Sequence, residues 1–121
     1  VSNATAVTIA HREDLERIGT WSLVRRTLGV SAFGINLVEI PPGGDIPTHD
    51  ETGRDQEELF FVLSGAPTFV IDGERIPATA GTFVRLDPPV VRTIVNDGGE
   101  VSAVLIVSAP TTSGYEPMEW A

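Results

Sequence analysis

Apolar and polar positions alternate in short bursts along this chain, and turn residues rather than helical spacing separate the bursts. Residues 21–26 (WSLVRR) and 32–40 (AFGINLVEI) are rich in branched and aromatic side chains and flank a Leu28-Gly29 break, which predicts two strands. Pro41-Pro42 offers no amide donor to a ladder and ends the second of them. A further apolar run leads from Glu58 into Ser64-Gly65. Residues 68–71 and 74–76 then flank Asp72-Gly73, a strong short-range hairpin signal. Residues 82–86, 90–95 and 101–107 read as three more strands, set apart by Asp87-Pro88-Pro89 and by Asn96-Asp97-Gly98-Gly99. Ahead of all these, residues 6–9 read as a short strand and residues 12–17 (REDLER) as one helical turn that needs tertiary support.

Strands bounded by turns every eight to twelve residues, with almost no helical period, predict an all-β sandwich or barrel. At 121 residues the expectation is one domain over residues 1–121 that buries a single core. The barrel is expected over about residues 21–108, and the tail 109–121, carrying Tyr115 and Trp120, to pack back on it or on a partner subunit. No cysteine is present, which excludes disulfides, thiol nucleophiles and Cys-ligated metals. The net charge of −9, with eight arginines and no lysine, leaves no basic stripe for nucleic acid. The longest apolar run, residues 101–110, falls short of the roughly 20 residues of a membrane span, and no signal pattern opens the chain, so a cytoplasmic protein is expected.

Chemistry concentrates in residues 44–65 (GDIPTHDETGRDQEELFFVLSG), which carry one of the two histidines and six carboxylates. His11, in the polar stretch before the first long strands, is expected at the surface. Gly43-Gly44 and Gly98-Gly99 are turns, not phosphate cradles, because no helix starts after them.

These residues resemble the cupin superfamily of double-stranded β-helix, or jelly-roll, barrels. Its first motif is G-x5-H-x-H, three or four residues, then E-x6-G; here Glu58 precedes LFFVLS and Gly65, with His49 upstream. Its second motif is G-x5-P-x-G-x2-H-x3-N; here Gly81 precedes TFVRL, Asp87-Pro88-Pro89, Val90-Val91-Arg92 and, three residues on, Asn96. The resemblance spans about residues 30–108 and implies a small single-domain bacterial cupin. Metal-dependent cupins hold a divalent ion with two histidines and a glutamate of the first motif and a histidine of the second. By that pattern His49 and Glu58 stand at ligand positions. The second histidine is Glu51 by direct spacing, or Gln56 comes nearest the site if residues 52–55 are an insertion. Arg92 stands at the last histidine, and an arginine has no lone pair to give.

The resemblance and this degenerate motif together lead to a barrel that binds a small molecule, an anion being the kind Arg92 would suit, without a catalytic metal. His49, Gln56, Glu58, Phe60 and Arg92 would line the pocket, with Arg92 as a forked donor and Phe60 and Val62 as its apolar wall. A first alternative is a metal-dependent oxygenase or isomerase that holds zinc, manganese, iron or nickel through His49, Glu51 and Glu58. A second is a structural module whose barrel is plugged by a Glu58–Arg92 ion pair, the two residues lying on neighbouring inward-facing strands. A homodimer formed by strand or tail exchange is expected.

Overall fold

The computed structural model describes the backbone of residues 2–4 and 6–121 and the side chains from residue 6 onward. It is an all-β jelly-roll barrel made of two facing antiparallel sheets. The larger sheet has six strands: β3 (Arg17–Ile18), β4 (Trp21–Ser22), β5 (Gly34–Ile40), β6 (Gln56–Ser64), β9 (Phe83–Leu86) and β11 (Ser102–Pro110). They lie in the order β3-β4-β5-β11-β6-β9. The smaller sheet has the order β10-β7-β8, from β7 (Thr68–Ile71), β8 (Glu74–Pro77) and β10 (Arg92–Val95). Residues 45–49 run along the free side of β10 through bridges Asp45–Val95 and His49–Arg92. A separate two-stranded ribbon joins β1 (Ser2–Ala4) to β2 (Val7–Ile9).

The period-two pattern of β6 decides what faces the core. Glu58, Phe60 and Val62 are buried, while Glu57, Leu59 and Leu63 are exposed. Val38 and Ile40 of β5 and Val104 and Ile106 of β11 join them from the same sheet. Phe69 and Ile94 come from the smaller one, and Phe60 meets Phe69 edge to face with ring centroids 5.4 Å apart.

Cross-strand register grades this inner face from apolar to polar. Val104 lies opposite Val38 and Val62, Ile106 opposite Asn36 and Phe60, and Ser108 opposite Gly34 and Glu58. The barrel therefore has a dry middle and one polar end. A Cβ at Gly34 would sit 2.6 Å from Ser108 Oγ, so the bare glycine keeps that end open.

The turns follow the local sequence. Asp72 and Gly73 have φ of 49° and 83°, as the two-residue hairpin requires. Asp72 also accepts from the Val91 amide at 2.9 Å, fastening the hairpin to the strand beside it. Asn96 is buried where the chain leaves β10, donates to the carbonyls of Ile40 and Glu100, and accepts from the Gly98 amide.

Three expectations are corrected. Residues 21–26 are not one strand: pairing stops at Ser22 and α1 (Val24–Leu28) follows. Thr27 donates to the Leu23 carbonyl, and Gly29, at φ 75°, closes the helix by donating to Arg25 O. The strand expected over 90–95 starts only at Arg92, because Val90 is held in the turn by the Asp87 carbonyl. Glu58 and Arg92 do not lie on neighbouring strands; β6 and β10 belong to opposite sheets, so the two side chains meet across the barrel. In the tail, Thr111 is tied to Asp55, but Tyr115, Met118 and Trp120 are 77%, 66% and 83% exposed, so none of the described residues covers them.

Candidate functional site

The polar end of the barrel holds a cavity of about 340 Å³. His49, Glu51, Gln56 and Glu58 face it, Phe60, Ile46 and Ile106 form its apolar base, and Trp21, Asn36, Arg54 and Ser108 complete the wall. Of the pocket residues expected from sequence, it brings together His49, Gln56, Glu58 and Phe60. Arg92 is not part of the lining.

Each polar group has a local reason to be there. His49 enters through backbone pairing with Arg92: each amide donates to the other residue's carbonyl, at 3.0 and 2.8 Å. Residues opposite each other on paired strands point to one face, so both side chains enter the barrel. Glu51 sits inside a turn in which the Asp50 carboxylate accepts from the Thr52 amide and hydroxyl, hydrogen bonds that hold the Asp50 carboxyl below its ordinary value. A single turn of 3₁₀ helix, Thr52–Arg54, comes next, and Asp55 closes it at φ 50°. The Gln56 amide then donates back to Glu51 O, so the loop folds on itself and presents both Glu51 and Gln56 to the cavity. The sequence left those two positions as alternatives; the turn accommodates both.

The tautomer of His49 follows from its partner. Nδ1 lies 2.8 Å from the Pro47 carbonyl, which can only accept, so Nδ1 carries a proton. The other nitrogen, Nε2, faces Glu58 Oε1 at 3.9 Å, too far for a hydrogen bond. Glu58 is 7% exposed, and Oε1 has no hydrogen-bond partner. A carboxylate oxygen of Glu51 completes a triad whose donor atoms lie within 4.8 Å of one another.

Behind the triad sits Arg92, fully buried. Its Nη atoms donate to the carbonyls of Pro88 and Asp87, each at 3.3 Å, and Nε approaches Glu58 Oε1 to 3.4 Å without hydrogen-bond geometry. Burial raises the Glu58 carboxyl above its ordinary value, and Arg92, His49 and Arg54 oppose that only in part.

Several lining residues escaped the sequence reading. Asn36 and Ser108 are polar residues in phase with Val38 and Ile40, and with Val104 and Ile106, a phase legible in the alternation of each strand. Arg54 is the lone cation of the acidic stretch 44–65. His11 is exposed, as expected, and caps the 3₁₀ turn Arg12–Asp14 by accepting from the Glu13 amide.

Residues 36–108 match the family model described as a cupin domain. No curated protein matches the chain. Among solved structures it is similar to a cupin protein from Bacteroides fragilis, at 21% identity and a TM-score of 0.75 over 99% of this chain and 94% of that one. A predicted oxalate decarboxylase from Thermotoga maritima aligns at 19% identity and a TM-score of 0.72, over 85% of this chain and 99% of that one. A sugar phosphate isomerase of the cupin superfamily from Silicibacter pomeroyi aligns at 25% identity and a TM-score of 0.66, over 75% of this chain and 59% of that one.

Proposed function

The chain belongs to the cupin-domain family, and from that premise we propose that its cavity takes a small polar molecule beside a divalent metal held by His49, Glu51 and Glu58. One observation carries this reading. His49 Nε2 and the buried Glu58 Oε1, which accepts no hydrogen bond, confront each other at 3.9 Å. Two acceptors held this way need a cation or a proton between them. The donor set, one imidazole and two carboxylates, suits zinc, manganese or iron. The Nδ1–H bond to Pro47 O is the outer support that orients a ligating histidine.

A divalent ion held there would supply Lewis-acid polarisation of a ligand oxygen. The chain's own residues do the rest. Gln56, Asn36 and Ser108 offer hydrogen bonds to orient a polar ligand, and Phe60, Ile46 and Ile106 exclude water from below. Arg92 tunes the triad from behind by neutralising Glu58 at 3.4 Å.

The burial that raises the Glu58 carboxyl favours a second reading, in which the cavity binds its ligand with no metal and Glu58 serves as a protonated donor. The test is elemental analysis of protein purified without chelators, followed by manganese and zinc titration of the apoprotein. Saturable binding that falls roughly tenfold to hundredfold in His49→Ala and Glu51→Gln supports the metal site. Absence of saturable binding at millimolar metal overturns it and leaves the metal-free cavity.

A further inference from the structure

A second concavity of about 330 Å³ opens beside the first, and Asn36, Arg54, Gln56 and Ser108 line both. The two are neighbours across these shared wall residues and differ in charge. The inner part carries the triad. In the outer part the charged lining residues are Arg25 and Arg54, with no carboxylate among them. This is unexpected in a chain with 17 acidic residues against eight arginines.

The ion pairs sharpen the contrast. Arg12, Arg17, Arg26, Arg75, Arg85 and Arg92 each lie against a carboxylate. Among the described residues, the two arginines outside every ion pair are Arg25 and Arg54. An unpaired guanidinium is a planar set of donors suited to a phosphate or carboxylate. Two of them converge on one chamber, and Ser31 and Asn36 add neutral polar groups to its wall.

The fold builds the chamber from distant segments. Arg25 comes from α1, where its Nη1 also donates to the Val30 carbonyl, and its side chain lines the outer chamber. Arg54 ends the 3₁₀ turn between Glu51 and Gln56, the two residues that reach the inner cavity. The turn that delivers Glu51 to the triad therefore delivers a cation to the outer chamber.

We infer that the outer chamber is an anion subsite in which Arg54 and Arg25 hold the phosphate or carboxylate of the ligand. The ligand is then a short molecule with an anionic group at one end and a hydroxyl or carbonyl at the other, the latter lying toward His49, Glu51 and Glu58. This deepens the reading of the cavity as a small-molecule site and moves the anion-binding role from Arg92, which is sealed beneath Glu58, to Arg54 and Arg25.

The experiment titrates the whole chain, free of metal, with glycerol phosphate, glycerate and glycerol, followed by amide shifts of Arg54, Gln56 and Ser108 in heteronuclear NMR. One or both anions are expected to bind saturably and glycerol to bind far more weakly; the stronger anion distinguishes a phosphate subsite from a carboxylate subsite. Arg54→Gln, on an exposed turn, and Arg25→Gln should each weaken the anion roughly tenfold to hundredfold. Arg85→Gln, whose arginine is paired with Glu57 and Asp87 outside both concavities, should not. Equal anion affinity in wild type and Arg54→Gln, glycerol binding as tightly as the anions, or no saturable anion binding would each overturn the inference. Manganese affinity measured on the same samples separates the two readings, since anion binding without metal binding defeats the metal site alone.

Discussion

Arg92→Met removes a guanidinium that is fully buried between the sheets while keeping much of its volume. The carbonyls of Pro88 and Asp87 lose their 3.3 Å donors, and Glu58 loses the positive charge 3.4 Å from Oε1. At an effective dielectric near 20, unit charges at that distance attract by about 5 kcal/mol. In the intact protein much of that attraction offsets the cost of taking both ions out of water. The variant keeps a buried carboxylate and loses the attraction, so breaking the pair destabilises by about 3–5 kcal/mol. For a chain of 121 residues this lowers Tm by roughly 10–25 °C. Glu58→Gln/Arg92→Met buries neither charge and should recover more than half of the loss. Urea and thermal unfolding of wild type, both single variants and the double variant, at neutral pH with chelator, give the coupling energy. A coupling below about 0.5 kcal/mol, as found for independent sites, would refute the reasoning.

Two further outcomes follow from the same geometry. Because burial raises the Glu58 carboxyl above 4.5, the folded protein holds that proton more tightly than the unfolded chain does. Its contribution to stability is present at low pH and is lost as pH rises from about the ordinary carboxylate value through the raised folded value. The stability difference between wild type and Glu58→Gln should accordingly move in favour of wild type as pH falls through that window, and a difference independent of pH would contradict the assignment. Asn96→Ala should cost about 1–3 kcal/mol in urea unfolding, because it strips the Ile40 and Glu100 carbonyls of their donor and the Gly98 amide of its acceptor. A loss within experimental error would show that water replaces all three.

Local chemistry made much of the barrel legible. Asp72-Gly73 can take the positive φ its hairpin needs, the proline pairs end strands for lack of amides, and the alternation of β6 commits Glu58, Phe60 and Val62 to one face. The resemblance to the cupin motifs pointed to His49, Glu51 and Glu58 as the alternative ligand set, and their donor atoms do come together. The helix at Val24–Leu28 was not, because one and a half turns of branched and basic residues carry no period and depend on the Gly29 cap and on packing against β5.

Tertiary structure alone decided which arginine meets the cavity. In sequence Arg92 stands at a ligand position and Arg54 is one charge in an acidic loop. The pairing of His49 with Arg92 across two backbone bonds carries Arg92 into the barrel behind Glu58, where carbonyls absorb its donors. The αL residue Asp55 folds the loop back so that Arg54 lines both concavities. Which face of a barrel a charge looks toward is set by sheet pairing and register over long sequence separations, and spacing along the chain carries no trace of it.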